Sequence, residues 1–294
     1  MSRDRLADLL PHLPLLDALG DDEHITRAAE ALGVQQPTVT RALRQLESRL
    51  GVTLVIPDGR GIRLTEAARR MLPAVRVSLR AAQDALDSLD GSRSTVGLAF
   101  QNSLGEHLVP RLVRRLREER PDIRIELWQG ARDACLAELD SGRTDLAIVS
   151  GAAATHPAHQ SVHLYDEPLV VVVPADHRLA TAKRITLADV FGETHVTLKP
   201  GYGLRRTLEQ LFAAEGAALD IAFEGDDIRT LHGLVAAGLG IAVGPEVPHP
   251  LDGCVQRPID DPRAARDMGV VFRPGARPTV LDDVIAVLVD LTRP

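Results

Sequence analysis

The chain of 294 residues holds only two cysteines, Cys135 and Cys254, far apart in sequence. That excludes a disulfide framework and fits a reducing cytosol. Aromatic residues make up 3% of the chain. Its cores must therefore be built from Leu, Val, Ile and Ala. No stretch approaches the roughly 18 uninterrupted apolar residues of a membrane span. Met1-Ser2-Arg3-Asp4-Arg5 leads into an interrupted amphipathic segment, not a signal-peptide core. A cytoplasmic protein without membrane contact is expected. Positive charge is in deficit too, with a formal net charge of −7. As an average, that argues against a nucleic-acid partner.

The distribution of charge argues the other way. Between His24 and Arg80 stand ten arginines and four acids, a local +6 that leaves −13 for the rest of the chain. Screening confines each patch to its own neighbourhood of ~10 Å, so a partner meets the local sign. An Arg-rich soluble face is the plainer alternative. Concentration in one segment favours a phosphate-binding footprint. The length implies two or three compact units of ~100–150 residues each.

Leu6, Leu9, Leu10, Leu13, Leu16 and Leu19 recur at helical spacing, interrupted by Pro11 and Pro14. Pro14 is suited to the first turn of a helix. Gly20-Asp21-Asp22 reads as a turn. Thr26 reads as the N-cap of a short helix, Arg27–Leu32, that Gly33 ends. After Val34-Gln35-Gln36, Pro37 opens a second helix that stops at Gly51. Val39, Leu43, Leu46 and Leu50 form one buried stripe of that helix. Thr38, Arg41, Arg44, Gln45 and Ser48 occupy the opposite face. Arg can fork to guanine and Gln to adenine in a major groove, while Thr contacts phosphate or methyl groups. Val52–Val55 and Ile62–Leu64 read as the strands of a β-wing, with Pro57–Gly61 as its turn and Arg60 at its tip.

From Thr65 a long helix is expected. Ala68, Leu72, Val75, Leu79, Ala82, Leu86 and Leu89 alternate steps of four and three, a heptad seam. Packing on its own domain is one use for that seam, and pairing with a second copy the preferred one. Gly91-Ser92-Arg93-Ser94 reads as a linker. Beyond it strands and helices alternate, which predicts an α/β architecture with parallel sheets.

Residues 24–70 resemble the DNA-binding segment of LysR-type transcriptional regulators. The pattern is carried by Thr26, Ala28, Ala29, Gln36, Pro37, Thr40, Arg41, Leu46, Glu47, Leu50 and Gly51, and in the wing by Arg60, Leu64 and Thr65. The resemblance continues, more weakly, at Leu108-Val109-Pro110, Gly142–Ala147, Pro174–Ala180 and Val235–Ile241. Two wing positions depart from it. Val55 stands where the family usually has Phe. Pro57 stands where it usually has Arg, which puts one phosphate contact in question. Ala68 replaces a usual Gly and should firm the linker helix.

The resemblance implies a winged helix-turn-helix over residues 1–65, a linker (dimerisation) helix over 66–93 and an effector-binding domain over 94–294. The last is expected to be α/β, with two subdomains like those of periplasmic binding proteins. Lobe I would comprise 95–167 and 267–294, and lobe II 168–266. The implied DNA contacts are Thr26, Gln36, Pro37, Thr38, Thr40, Arg41, Arg44 and Arg60. Thr40 could instead be a back-bonded helix residue. The implied effector contacts are Gln101, Asn102, Ser103, Gln129, Ser150, Lys199, Gly201, Tyr202 and Asp226, lying at strand ends and helix starts. Ser103 and Asp226 could instead simply cap helices.

Those groups suit a small polar or anionic effector. Partners would be double-stranded operator DNA with an inverted repeat, that effector, and further copies of the chain in a dimer or tetramer. RNA polymerase is a further candidate partner. No cofactor, metal or enzymatic activity is expected. His156-x-x-His159-x-x-x-His163 lacks a Cys or carboxylate partner for a metal. His177 has no accompanying nucleophile motif. Gly201-Tyr202-Gly203 lacks the third glycine of a dinucleotide fingerprint. Cys135, placed on a helix, reads as a small buried residue and not as a redox partner of Cys254.

Overall fold

The computed structural model describes residues 2–59, 61–89, 94–154, 159–274 and 279–293. Arg60, His156 and the linker residues 90–93 lie outside them. The chain divides into two compact units, one containing residues 1–95 and the other the bulk of 96–294.

The first unit opens with α1 (Ser2–Leu9), a 3₁₀ turn and α2 (Leu13–Asp22), whose first turn carries Pro14. Gly20-Asp21-Asp22 is not a turn but the end of α2. Gly20 is retained inside the helix by a close approach, since a Cβ there would stand 2.7 Å from a Leu72 methyl. Asp17 and Asp21 lie one turn apart on α2. Both accept from Arg76, a guanidinium only 6% exposed, at 2.7 and 2.5 Å.

Next come α3 (Ile25–Ala31) and α4 (Gln36–Leu50). Thr26 does not cap α3. His24 holds the cap position, and the exposed Thr26 lies inside the first turn. The exit from α3 is a Schellman turn: Gly33 N–H donates to Glu30 O and Val34 N–H to Ala29 O, with Gly33 at φ 65°. Pro37 sits in the first turn of α4, and Val39, Leu43 and Leu46 are buried.

The wing is β1 (Val55–Asp58) paired antiparallel with β2 (Gly61–Leu64). It starts later than Val52–Val55 implies. Glu47 Oε1 accepts from Leu54 N–H at 2.7 Å and Val55 N–H at 3.2 Å. This holds the connector out of the ladder. Pro57 lies within β1, opposite Ile62. Glu47→Ala leaves two backbone donors without their acceptor, and about 1–2 kcal/mol of stability should go with it. Chemical denaturation would measure the loss.

Helix α5 (Glu66–Leu89) follows, with Thr65 Oγ1 accepting from Ala68 N–H. Its seam is divided. Ala68, Leu72 and Val75 are buried with Leu16, Leu19 and Leu46 in the core of this same unit. Leu79 is half-buried, Ala82 exposed and Leu86 57% exposed. Only the second half of the heptad pattern is open to another chain.

The second unit runs β3 (Ser94–Gln101), α6 (Leu108–Glu119), β4 (Ile123–Gly130), α7 (Arg132–Asp140), β5 (Leu146–Ser150), β6 (Gln160–Pro174), α8 (Leu187–Phe191) and β7 (His195–Leu198). Then come α9 (Gly203–Ala214), β8 (Ile221–Gly225), α10 (Ile228–Ala236), β9 (Ala242–Pro245), β10 (Cys254–Pro258), β11 (Ala265–Phe272) and α11 (Thr279–Thr292). The alternation is present, but the sheets are not purely parallel. β3 and β5 pair in parallel, as do β7 and β8, whereas β11 runs antiparallel to both β5 and β6.

β6 is long enough to serve two half-sheets. Its first part pairs with β11 and its second with β10 and β9. One core gathers Leu98, Leu112, Ile148, Leu164, Met268 and Leu288. The other gathers Leu169, Val171, Val196, Leu204, Val235 and Ala264. The chain therefore passes between the cores twice, from Leu164 to Leu169 and from Ala264 to Met268. Among the described residues no helix is long and apolar enough to cross a membrane.

Candidate functional site

Two surfaces carry the sequence-predicted residues, one on each unit. On the first unit, α4 turns Gln36, Pro37, Thr38, Arg41 and Arg44 outward, with Thr26 exposed on α3. The reason is the 3.6-residue period: burying Val39, Leu43 and Leu46 forces the intervening positions to the opposite face. Neither Arg41 nor Arg44 has a partner among the described residues, so both guanidiniums can meet a new acceptor. Thr40 is half-buried, and its hydroxyl donates to Gln36 O at 3.2 Å. Its proton is thus committed within the helix, which leaves Thr40 an acceptor and a methyl contact.

On the second unit a cavity of about 410 Å³ opens between the two cores. Gln101, Asn102, Ser103, Gln129, Tyr202 and Asp226 line it. Ser150, Lys199 and Gly201 do not. Ser150 is 1% exposed and stands behind the wall, with its hydroxyl unpartnered. Lys199 turns to Asp226, Nζ to Oδ2 2.5 Å, and that carboxylate raises the lysine pKa. Gly201 O accepts from Asp133 N–H at 3.1 Å, a bond from one lobe to the other. Tyr202 titrates above its ordinary range, first because it is desolvated and then because Asp226 is near.

Gly203 packs where no side chain fits. A Cβ there would collide with Ser150 Oγ and lie 2.6 Å from Gln101 Nε2. Behind it Arg132 clamps the end of β5, donating to Ser150 O at 2.8 Å and Gly151 O at 3.3 Å. Burial lowers the pKa of this guanidinium.

Several lining residues carry no motif. Arg266 is 3% exposed, donates to Glu167 and reaches Ser103 Oγ at 3.0 Å. It pairs with Glu167 in register across β11 and β6, on the two segments that join the cores. Glu106, His107, Arg229, Glu246 and His249 also face the cavity. Only tertiary folding gathers them, from the loop before α6, the first turn of α10 and the loop after β9. A buried arginine at a strand crossing is the one signal that could have been read.

The remaining motifs resolve into structure. His177 Nδ1 accepts from Leu179 N–H at 3.3 Å and closes a turn, with Nε2 3.4 Å from Glu193. Among the described residues no three His, Cys, Asp or Glu side chains group as metal ligands. Cys135 is fully buried and its pKa is pushed up to about 12 by desolvation. Cys254, also raised by burial, donates to His232 O at 3.0 Å.

Comparison with known proteins adds the lineage. Residues 10–69 match the "bacterial regulatory helix-turn-helix protein, lysR family" model. Residues 89–293 match the "LysR substrate binding domain" model. The HTH-type transcriptional regulator YybE of Bacillus subtilis is 34% identical over 239 residues, 80% of this chain and 82% of that protein. The hydrogen peroxide-inducible genes activator of Dickeya chrysanthemi is 32% identical over 275 residues, 90% and 89% of the two chains. A full-length variant of OxyR from Pseudomonas aeruginosa superposes with a TM-score of 0.72 at 22% identity, covering 97% of each chain. At that identity the likeness speaks for the fold.

Proposed function

The chain belongs to the LysR family of DNA-binding transcriptional regulators, and from that premise we propose how its two surfaces are used. Residues 1–65 form the DNA-reading head, 66–93 the linker helix and 94–294 the effector domain, with lobes 95–167 plus 267–294 and 168–266. α4 enters the major groove with Gln36, Thr38, Arg41 and Arg44 toward bases and phosphates. Pro37, Thr40 and Thr26 contact the backbone or methyl groups, and Arg60 is a further DNA contact that the family resemblance implies. Two heads, joined through the outer half of the α5 seam, read an inverted repeat with half-sites ~34 Å apart. The observation that carries this reading is the face of α4, where two arginines without a partner among the described residues stand opposite a buried stripe.

A small polar effector occupies the cavity between the lobes. Its size falls within the ~300–1,000 Å³ usual for ligand clefts, and Gln101, Ser103 and Tyr202 offer directed hydrogen bonds. Occupancy biases the lobes and with them the angle between the heads. Peroxide is not the effector we favour, although the Dickeya relative is named for it. Peroxide oxidises exposed thiolates. Cys135 is buried with a pKa near 12, and Cys254 is a hydrogen-bonded thiol held protonated by burial.

Fluorescence anisotropy with the intergenic DNA upstream of the protein's own gene tests the DNA reading. Binding should be sequence-selective, and log Kd should rise with log[salt] at a slope of about 0.9 per phosphate neutralised. Equal affinity for scrambled DNA would refute it.

A further inference from the structure

The charge balance of the cavity identifies the effector more narrowly than its polarity does. Five carboxylates line it, from Glu106, Glu167, Asp226, Asp227 and Glu246, against two arginines, Arg229 and Arg266. Three of the five are already engaged. Glu167 holds Arg266, Asp226 holds Lys199, and Asp227 caps α10 by accepting from Thr230 N–H at 2.8 Å. Arg266 is likewise committed, to Glu167 and Ser103. What remains unpaired among the described residues is Glu106 from one lobe, Glu246 from the other, and a single cation, Arg229.

A second feature is independent of charge. Gln101 is 5% exposed and lines the cavity. Its Oε1 accepts from Ser150 N–H, but its Nε2 has no partner among the described residues. An amide donor left open at the cavity wall, on a side chain anchored through its other atom, offers a fixed hydrogen bond to an acceptor on whatever enters. Both free carboxylates line the cleft, one on each lobe, and both are exposed. A cationic ligand entering the cleft meets more free negative than positive charge.

Resting on the cleft being the effector site, we propose that the effector is a small organic cation, an amine or amidine, that also carries a hydrogen-bond acceptor. Its positive group lies between Glu106 and Glu246, and its acceptor faces Gln101 Nε2. This keeps the polar part of the sequence-based expectation and replaces its anionic part with the opposite sign of charge.

The test uses full-length protein and three probes of equal carbon length: 5-amino-1-pentanol, 1,5-diaminopentane and glutarate. Thermal unfolding is followed as each is titrated. The amines should raise Tm saturably, the amino alcohol most, and glutarate should leave it unchanged. In the Glu106→Gln/Glu246→Gln variant the amine midpoint should move at least tenfold higher. Both side chains are exposed and have no partner among the described residues, so the variant should fold as the parent does. An amine shift that persists in that variant overturns the proposal, as does no shift with either amine. Stabilisation by glutarate that is lost in Arg229→Gln would also overturn it, yet would leave the cleft as the effector site. A probe whose effect survives both the Arg229 and the Glu106/Glu246 substitutions would move the site elsewhere and remove both readings.

Discussion

An Arg41→Ala protein should fold normally and lose specific operator binding. Arg41 is exposed, contacts no partner among the described residues, and contributes nothing to the stripe of Val39, Leu43 and Leu46. Its removal should leave Tm within about 4 °C, since a surface substitution away from packed features changes stability by under ~0.5 kcal/mol and a unit of this size shifts by about 4–8 °C per kcal/mol. A forked arginine–guanine contact discriminates by about 1–3 kcal/mol. Two heads binding together double that term, so Kd for the cognate site should rise on the order of 100-fold or more. Affinity for scrambled DNA should fall much less. Arg44→Ala supplies the contrast: a phosphate contact should weaken all sequences alike and lower the salt slope by about one. Gel-shift titration at fixed salt would measure both. Unchanged cognate affinity in the Arg41 variant would remove that residue from the interface.

Gly203→Ala should be the most damaging small substitution in the second unit. The added methyl would collide with Ser150 Oγ and lie 2.6 Å from Gln101 Nε2. The Gln101 amide and the Ser150 backbone are both held in place. Gln101 Oε1 is bonded to Ser150 N–H, and Arg132 holds Ser150 O from behind. The strain must then move the start of α9 and the loop before it, which includes the Gly201–Asp133 bond between the lobes. Overpacking of this kind costs about 1–3 kcal/mol. A unit of this size should lose roughly 2–4 °C in Tm per kcal/mol. The response of the cleft to any ligand should weaken as well. Adding Ser150→Gly removes the clashing hydroxyl and should recover a large part of the loss. If the double variant is no more stable than Gly203→Ala alone, the close approach is not what fixes glycine at this position.

The helix-turn-helix is legible in the sequence because its signals are local. Pro37 in a first turn, Gly33 and Gly51 beyond helix ends and the 3.6-residue stripe of α4 each depend on a few neighbouring residues. The departures share a cause. Gly20 reads as a turn because its reason for being in a helix is Leu72, fifty-two positions away. The first wing strand reads too early because Glu47, on the previous helix, takes the backbone donors of Leu54 and Val55. The heptad of α5 is continuous in sequence, but folding uses its first three positions inside its own unit. β8 and β10 carry no clean two-residue alternation of burial, so periodicity alone does not mark them as strands. The antiparallel run of β11 cannot be inferred from alternation of elements, since it depends on the chain returning between the lobes.

The outward face of α4, with Arg41 and Arg44 opposite a buried stripe, was determined by the sequence alone, because periodicity and short-range capping set which side of a short helix meets solvent. The cleft divides differently. Gln101, Asn102, Ser103, Gln129, Tyr202 and Asp226 follow from their places at strand ends and helix starts. The withdrawal of Ser150, Lys199 and Gly201 from the cavity was decided by tertiary structure, and so was the arrival of Arg266, Glu106 and Glu246. The physical reason is that a cleft's charge is a sum over loops remote in sequence. It exists only after burial has paired some of those charges and left others facing the opening.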